Sequence, residues 1–254
     1  MKNIKSTIPF IDYSIFNDDL RQIVFTRKTL INTINQYSFC VAEQDTKFKT
    51  ALQGSDILLP DGEAIVSAVR RLTGQKIKKI AGADIHLHLL QELEQKRGSC
   101  FYLGSSETTL LKIRERMAIQ FPNVRVGTFS PPFHTEFSHD KKSQKVEVVN
   151  AFQPDVLFVG MTAPKQEKWA YSHKDYLDVK IICSIGAVFD FYAGTVERPS
   201  SFWIDLKLEW FIRLLKEPKR MWKRYLYYGP VFIGIILKEK LSRLIGLLCV
   251  VCSL

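Results

Sequence analysis

Nowhere in this chain of 254 residues does an apolar run reach the roughly 20 residues that a membrane-spanning helix needs. The apolar stretches 231–237 and 244–254 are short and are separated by Lys238, Glu239, Lys240 and Arg243. Such a tail is expected to lie on a bilayer without crossing it. Residues 1–9 carry two lysines and no apolar run, so no secretory signal is read there and the expected compartment is the cytoplasm. Disulfide frameworks are also excluded: the 5 cysteines are odd in number and irregularly spaced. Cys40, Cys100 and Cys183 sit in apolar runs as buried thiols would. Cys249 and Cys252 form a C-x-x-C without the strand-turn-helix setting of a redox motif, and are read as free thiols. Repeats, low-complexity tracts, a Gly-x-Gly-x-x-Gly signature and an Asp-x-Asp pair are all missing. His86 and His88 flank Leu87 and would point to different sides of a helix, which argues against a metal pair.

What is present is an ordinary globular composition, 46% hydrophobic and 24% charged, with one asymmetry. Residues 198–254 hold 11 Lys or Arg against 4 Asp or Glu, which is +7 of the net charge of +10. Anionic lipid and nucleic acid are the partners such a patch attracts. Upstream, short β-branched runs at 29–33, 56–59, 100–103, 124–128, 156–160 and 180–184 predict strands. Helical patterns at 36–52, 64–73, 83–95, 107–120, 142–152 and 165–173 alternate with them, the order of an α/β fold with a mostly parallel sheet. A catalytic domain over 1–199 and a basic, amphipathic helical appendage over 200–254 follow. The appendage divides at Lys216-Glu217-Pro218 and is expected to end a second basic-aromatic stretch at Gly229-Pro230.

Several strands run into polar or glycine-rich turns, and the carboxyl ends of strands are where open α/β sheets bind ligands. The first such turn is Pro60-Asp61-Gly62. Asp61 there suits a general base, and equally suits the N-cap of the following helix. The second is Gly160-Met161-Thr162-Ala163-Pro164, opening a helix at Lys165-Gln166-Glu167. Helix-start amides with Lys165 make a diphosphate cradle, and Gln166 suits a hydrogen bond to a base or sugar; a capped surface helix is the plainer alternative. The third surrounds Asp190, set between Phe189 and Phe191, an expensive position for a carboxylate unless it is paired or functional. Gly186 and Gly194 bracket it and permit close backbone approach. Finally, residues 210–225 mix Trp, Tyr, Lys and Arg with Leu, Ile and Phe, which favours a lipid interface over base stacking.

In their order along residues 29–228 these stretches resemble the bacterial WecG/TagA/CpsF glycosyltransferases, glycosyltransferase family 26. Thr33-Ile34-Asn35, Pro60-Asp61-Gly62, residues 79–84 from Lys79, Tyr102-Leu103-Gly104, residues 154–160, Pro164-Lys165-Gln166-Glu167, residues 186–194 and residues 213–224 carry the resemblance. It implies a Rossmann-like sheet of the GT-E type. The implied reaction is an inverting, metal-independent transfer from a UDP-sugar to an undecaprenyl-diphosphate-linked sugar, in the synthesis of a cell-surface polysaccharide. By the same resemblance Asp61 is the base, Thr33 a second catalytic candidate, and Asn35, Lys79, Gln166 and Asp190 substrate ligands. Arg213, Arg220, Lys223 and Arg224 are implied to dock the membrane and complete the site. Relatives often carry Asp-Gly-x-Gly where this chain has Asp61-Gly62-Glu63-Ala64, and Arg where Lys79 stands, which here loses the bidentate fork for phosphate.

The mechanism this implies sets the UDP diphosphate over Gly104, Gly160 to Gln166, and Gly186. Helix-start amides and Lys165 or Lys79 stand in for a divalent cation. No cofactor is expected, the UDP-sugar being a substrate. The expected partners are the donor, the lipid-linked acceptor and the cytoplasmic face of the membrane, not nucleic acid. The competing reading is a basic nucleic-acid-binding or RNA-modifying α/β protein, and a third is a nucleotide-sugar-binding scaffold without turnover. Donor sugar, acceptor sugar, linkage and oligomeric state are not written in the sequence.

Overall fold

The computed structural model describes residues 6–23, 27–131, 139–197, 202–203, 206 and 208–252, with side chains described outside 139–143 and 247–252. The boundary drawn at 199/200 and the side chains of Cys249 and Cys252 therefore lie outside the described residues.

Six strands form one parallel sheet in the order β4-β3-β8-β7-β5-β6. They are β3 (Thr29–Ile34), β4 (Ile57–Pro60), β5 (Ser99–Gly104), β6 (Arg125–Phe129), β7 (Val156–Gly160) and β8 (Ile181–Ser184). The four inner strands are buried on both faces, which is why they read as continuous apolar runs without alternation. Val156 and Phe158 of β7 face one layer, with α4 (Gly82–Lys96), α5 (Glu107–Gln120) and α8 (Gly186–Ala193). Leu157 and Val159 face the other, with α6 (His139–Phe152) and α7 (Lys165–His173). Beside β3 and β4 a third cluster joins α1 (Gln36–Ala42), α2 (Thr46–Gln53) and α3 (Glu63–Thr73).

Two features upstream of the C-terminal segment differ from the sequence expectation. A hairpin of β1 (Thr7–Phe10) and β2 (Tyr13–Phe16) covers that third cluster. Its turn uses Ile11 at φ 54°, without the Asn-Gly or Gly pair that marks a tight hairpin. The single helix expected over 36–52 is two, because the Asp45 carboxylate accepts from the Phe48 amide at 3.0 Å and caps a new start. The apolar spacing continues across that break and hides it.

The C-terminal segment comprises α9 (Glu209–Lys216), α10 (Pro218–Trp222), a π-helical turn (Lys223–Tyr227) and α11 (Tyr228–Cys252). The division at Glu217-Pro218 falls where the sequence reading put it, with Pro218 opening α10. Gly229-Pro230 does not end a helix. Pro230 lies in the first turn of α11, directly after the π-helical turn, and the helix runs on through it. Tyr228, Phe232 and Ile236 of α11 are buried with Phe10, Phe39 and Ile65 in the third cluster. Ile233, Leu237 and Leu241, on an adjacent face, are 54%, 62% and 59% exposed. Among the described residues no helix is long and apolar enough to cross a membrane.

Candidate active site

Because the six strands are parallel, every turn singled out in the sequence emerges at one edge of the sheet. Asp61 follows β4 there. Its amide donates to the Ile34 carbonyl at 2.9 Å, tying the turn to the end of β3. The Ile80 amide donates to the Pro60 carbonyl at 2.9 Å and brings Lys79 alongside. Asp61 does not cap α3: Gly62, at φ 108°, holds the N-cap position, and no side chain caps that helix. The carboxylate is thereby left for the rim.

Burial, and then the negative charge of Glu209, push the Asp61 carboxyl up to about 6, against the pull of Lys79 and Arg213. Asp84 adds to the upward push. Glu209 and Arg213 come from α9, one helical turn apart on the same face. Glu209 also pairs with Lys79 at 3.5 Å, both side chains being largely covered. Arg213 lies over the Phe191 ring at 5.4 Å, and its buried Nε has no hydrogen-bond partner among the described residues. A carboxyl titrating near 6 is mostly ionised at neutral pH and has greater proton affinity than an ordinary Asp, the balance a general base needs. Replacing Glu209 with Gln removes the second-largest cause of that shift. The acid limb of the pH–rate profile is then expected to move from about 6 to lower pH. A limb that stays put would separate Glu209 from Asp61.

The other candidates distribute as follows. Thr33 is half-buried near the end of β3, opposite Leu59 of β4. Asn35 caps α1: its Oδ1 accepts from the Ser38 amide at 3.0 Å, and the Ser38 hydroxyl accepts from the Asn35 amide at 2.8 Å. Gly104, at φ 114°, is paired with Gly160 across β5 and β7, and a Cβ on it would overlap the Gly160 carbonyl. Lys165 is exposed at the start of α7, and its amide donates to the Thr162 carbonyl at 2.9 Å. Gln166 does not present a free amide to the rim. Its Oε1 accepts from the Gly186 amide at 3.1 Å and its Nε2 donates to Glu167 Oε1 at 2.8 Å, so it holds the α7 and α8 starts together. Asp190 is half-buried in α8; burial raises its carboxyl and the Arg220 charge opposes that.

Three of the four C-terminal cations turn toward this rim. Arg213 acts on Asp61 and Arg220 on Asp190. Arg224 stacks on Tyr37 at 4.6 Å, near enough to Arg213 and Arg220 for their charges to depress it after burial has done so. Arg220 also pairs with Glu217 at 2.7 Å, while Lys223 is exposed. His86 is an interior residue whose Nε2 lies 2.7 Å from the Tyr102 hydroxyl. Sequence reasoning missed Glu209 and assigned no role to Glu167, which is 2% exposed. Burial raises the Glu167 carboxyl to about 7, opposed by Gln166 and by the Arg224 and Lys168 charges.

A carboxylate on the ligand edge of a parallel sheet, under the charges of Lys79, Arg213 and Glu209, is a candidate for chemistry, and comparison with known proteins names the class. The glycosyl transferase WecG/TagA/CpsF family matches residues 5–245. This chain belongs to that family. It is a glycosyltransferase. Similar to it is a Bacillus subtilis (strain 168) protein, 28% identical over 93% of this chain and 91% of its own length. A Bacillus spizizenii relative is 29% identical over 78% of this chain and 75% of its own length. One from Staphylococcus aureus (strain MW2) is 25% identical over 88% and 78%. All three are named N-acetylglucosaminyldiphosphoundecaprenol N-acetyl-beta-D-mannosaminyltransferase. Family membership sets the RNA-modifying reading aside for this WecG/TagA/CpsF enzyme, and its mostly parallel, helix-flanked sheet is the fold expected from the sequence.

Proposed function

We propose that this enzyme moves a sugar from a UDP-sugar to an undecaprenyl-diphosphate-linked sugar, with inversion and without a metal ion, at the cytoplasmic face of the membrane. The observation that carries the reading is the Asp61 carboxylate, raised to about 6 by burial and Glu209, with Lys79 and Arg213 beside it. Asp61 takes the proton from the acceptor hydroxyl as that oxygen attacks the anomeric carbon. The bond to UDP breaks on the opposite face, so one displacement inverts the centre. Negative charge develops on the departing diphosphate, and Arg213, Arg220 and Arg224 supply the compensation a divalent cation gives elsewhere. Gly104, Gly160 and Gly186 let the diphosphate approach the backbone, and Thr33, Asn35, Lys165 and Asp190 surround donor and acceptor.

The relatives' names supply the first acceptor to try, N-acetylglucosaminyl-diphosphoundecaprenol, and the first sugar, N-acetylmannosamine, which the present reading offers as its UDP derivative. A polyprenyl acceptor stays in the bilayer, and the exposed face of Ile233, Leu237 and Leu241 with Lys238 and Lys240 nearby suits an anionic membrane surface. The test is turnover on a panel of UDP-sugars with and without EDTA, followed by the anomeric configuration of the product. Equal rates in EDTA and an inverted anomer are expected. Loss of turnover in EDTA, restored by a divalent cation, would overturn the metal-independent mechanism, and a retained anomer would overturn the single displacement.

A further inference from the structure

The buried Glu167 has no part in the chemistry assigned so far, yet it joins two pieces of the rim. One carboxylate oxygen, Oε1, accepts from Gln166 Nε2 at 2.8 Å, and Gln166 Oε1 in turn accepts from the Gly186 amide at 3.1 Å. The chain Glu167–Gln166–Gly186 therefore fixes the distance between the start of α7 and the start of α8. Gly186 has no slack: a Cβ there would overlap Gln166 Oε1 and sit 2.8 Å from the Met161 carbonyl. The second oxygen, Oε2, is buried without a hydrogen-bond partner among the described residues. A buried carboxylate left half-satisfied is expensive unless a cation compensates it. The cations that act on Glu167 are Arg224 and Lys168. Lys168 is bonded to Asp45 at 2.7 Å, which leaves Arg224, itself largely buried and crowded by Arg213 and Arg220, in need of a counter-charge.

We propose that Glu167 is a positioning residue for sugar transfer: through Oε1 it sets the Gln166–Gly186 loop, and through its charge it seats Arg224 of the C-terminal segment at the same rim. It touches neither donor nor acceptor. Its two jobs are separable, because glutamine keeps an acceptor oxygen for Gln166 and removes only the charge, whereas alanine removes both. The inference rests on the donor-diphosphate reading of this rim, and the experiment is chosen so that the two fail differently.

The full-length enzyme is compared as wild type, Glu167→Gln, Arg224→Gln, the double variant and Glu167→Ala. Readouts are KM and kcat for the UDP-sugar, UDP affinity by calorimetry, and Tm. Glu167→Gln is expected to weaken UDP-sugar binding about tenfold, the scale of one lost charge-assisted contact, and to lower kcat as well, because Arg224 also meets the charge that develops on the diphosphate. The double variant is expected to lose little more than Arg224→Gln alone, the non-additivity of residues that act as a unit. Glu167→Ala is expected to be worse than Glu167→Gln in both affinity and Tm. Wild-type kinetics in Glu167→Gln, or losses that add in the double variant, would overturn the role of Glu167 while leaving the donor site intact. A wild-type enzyme that neither binds UDP nor turns over would remove the donor site, and this inference with it.

Discussion

Asp61→Asn is expected to lower kcat by about 10³-fold, within the range of a lost general base, with the fold unchanged. The argument rests on where the proton has to go. The acceptor hydroxyl is a poor nucleophile until its proton leaves, and Asp61 is the carboxylate that the β4 turn directs to the sheet's ligand edge. Asparagine matches its shape and keeps an acceptor oxygen, so substrate binding should change little and the loss should appear in kcat. Stability should move the other way. The folded-state carboxyl is raised from 3.8 to about 6, so the stability linked to its protonation is complete below 3.8 and is lost as pH rises through about 6. At pH 7.5 the wild type holds a charge in a site that favours the neutral form, and Asp61→Asn relieves it. Its Tm at that pH should equal or exceed that of the wild type, and the difference should shrink toward pH 4. A marked fall in Tm would assign Asp61 a structural task instead.

Replacing Trp222, Leu226, Ile233 and Leu237 together by serine is expected to weaken binding to anionic vesicles on the order of 10³-fold. These side chains are 51%, 59%, 54% and 62% exposed, so a membrane can still cover about half of each. At about 1 kcal/mol per half-covered side chain the four contribute about 4 kcal/mol. Transfer to a lipid-linked acceptor in vesicles should fall with binding, while UDP affinity stays at the wild-type value. The lesion has to be made on this exposed face. Removing the chain from Trp203 onward would also take Tyr228, Phe232 and Ile236 out of the core beside Phe39 and Ile65, and would confuse unfolding with release. Unchanged vesicle binding by the serine variant would move the docking surface elsewhere.

The strands and their turns were legible because two local signals coincide at most of them: a short apolar run and a Gly, Pro or Asp turn at its carboxyl end. The parallel order then brings Asp61, Gly104, Gly160 and Gly186 to one edge without further information. The β1–β2 hairpin lacked such a signal, since Ile11 adopts positive φ with no glycine to announce it. The break at Asp45 was written as an N-cap but masked by continuous helical spacing. At the site, Asp61 could be read as base or cap from sequence alone, and Gly62 at the cap position removes the cap reading. Glu209 was illegible because its meaning depends on Lys79, 130 residues earlier in the chain, and no local pattern reports a contact of that range. The same holds for Arg224 and Tyr37. Gln166 also ties the frame together through its hydrogen bonds to Gly186 and Glu167, a task that only the two distances reveal.

The most direct measurement is release of UDP from UDP-N-acetylmannosamine by the full-length enzyme on vesicles with and without N-acetylglucosaminyl-diphosphoundecaprenol, wild type beside Asp61→Asn. Acceptor-dependent release by the wild type, reduced about 10³-fold in Asp61→Asn at equal UDP affinity, is the expected result. Acceptor-dependent release that survives in Asp61→Asn would contradict the assignment of the base and of the rim built around it.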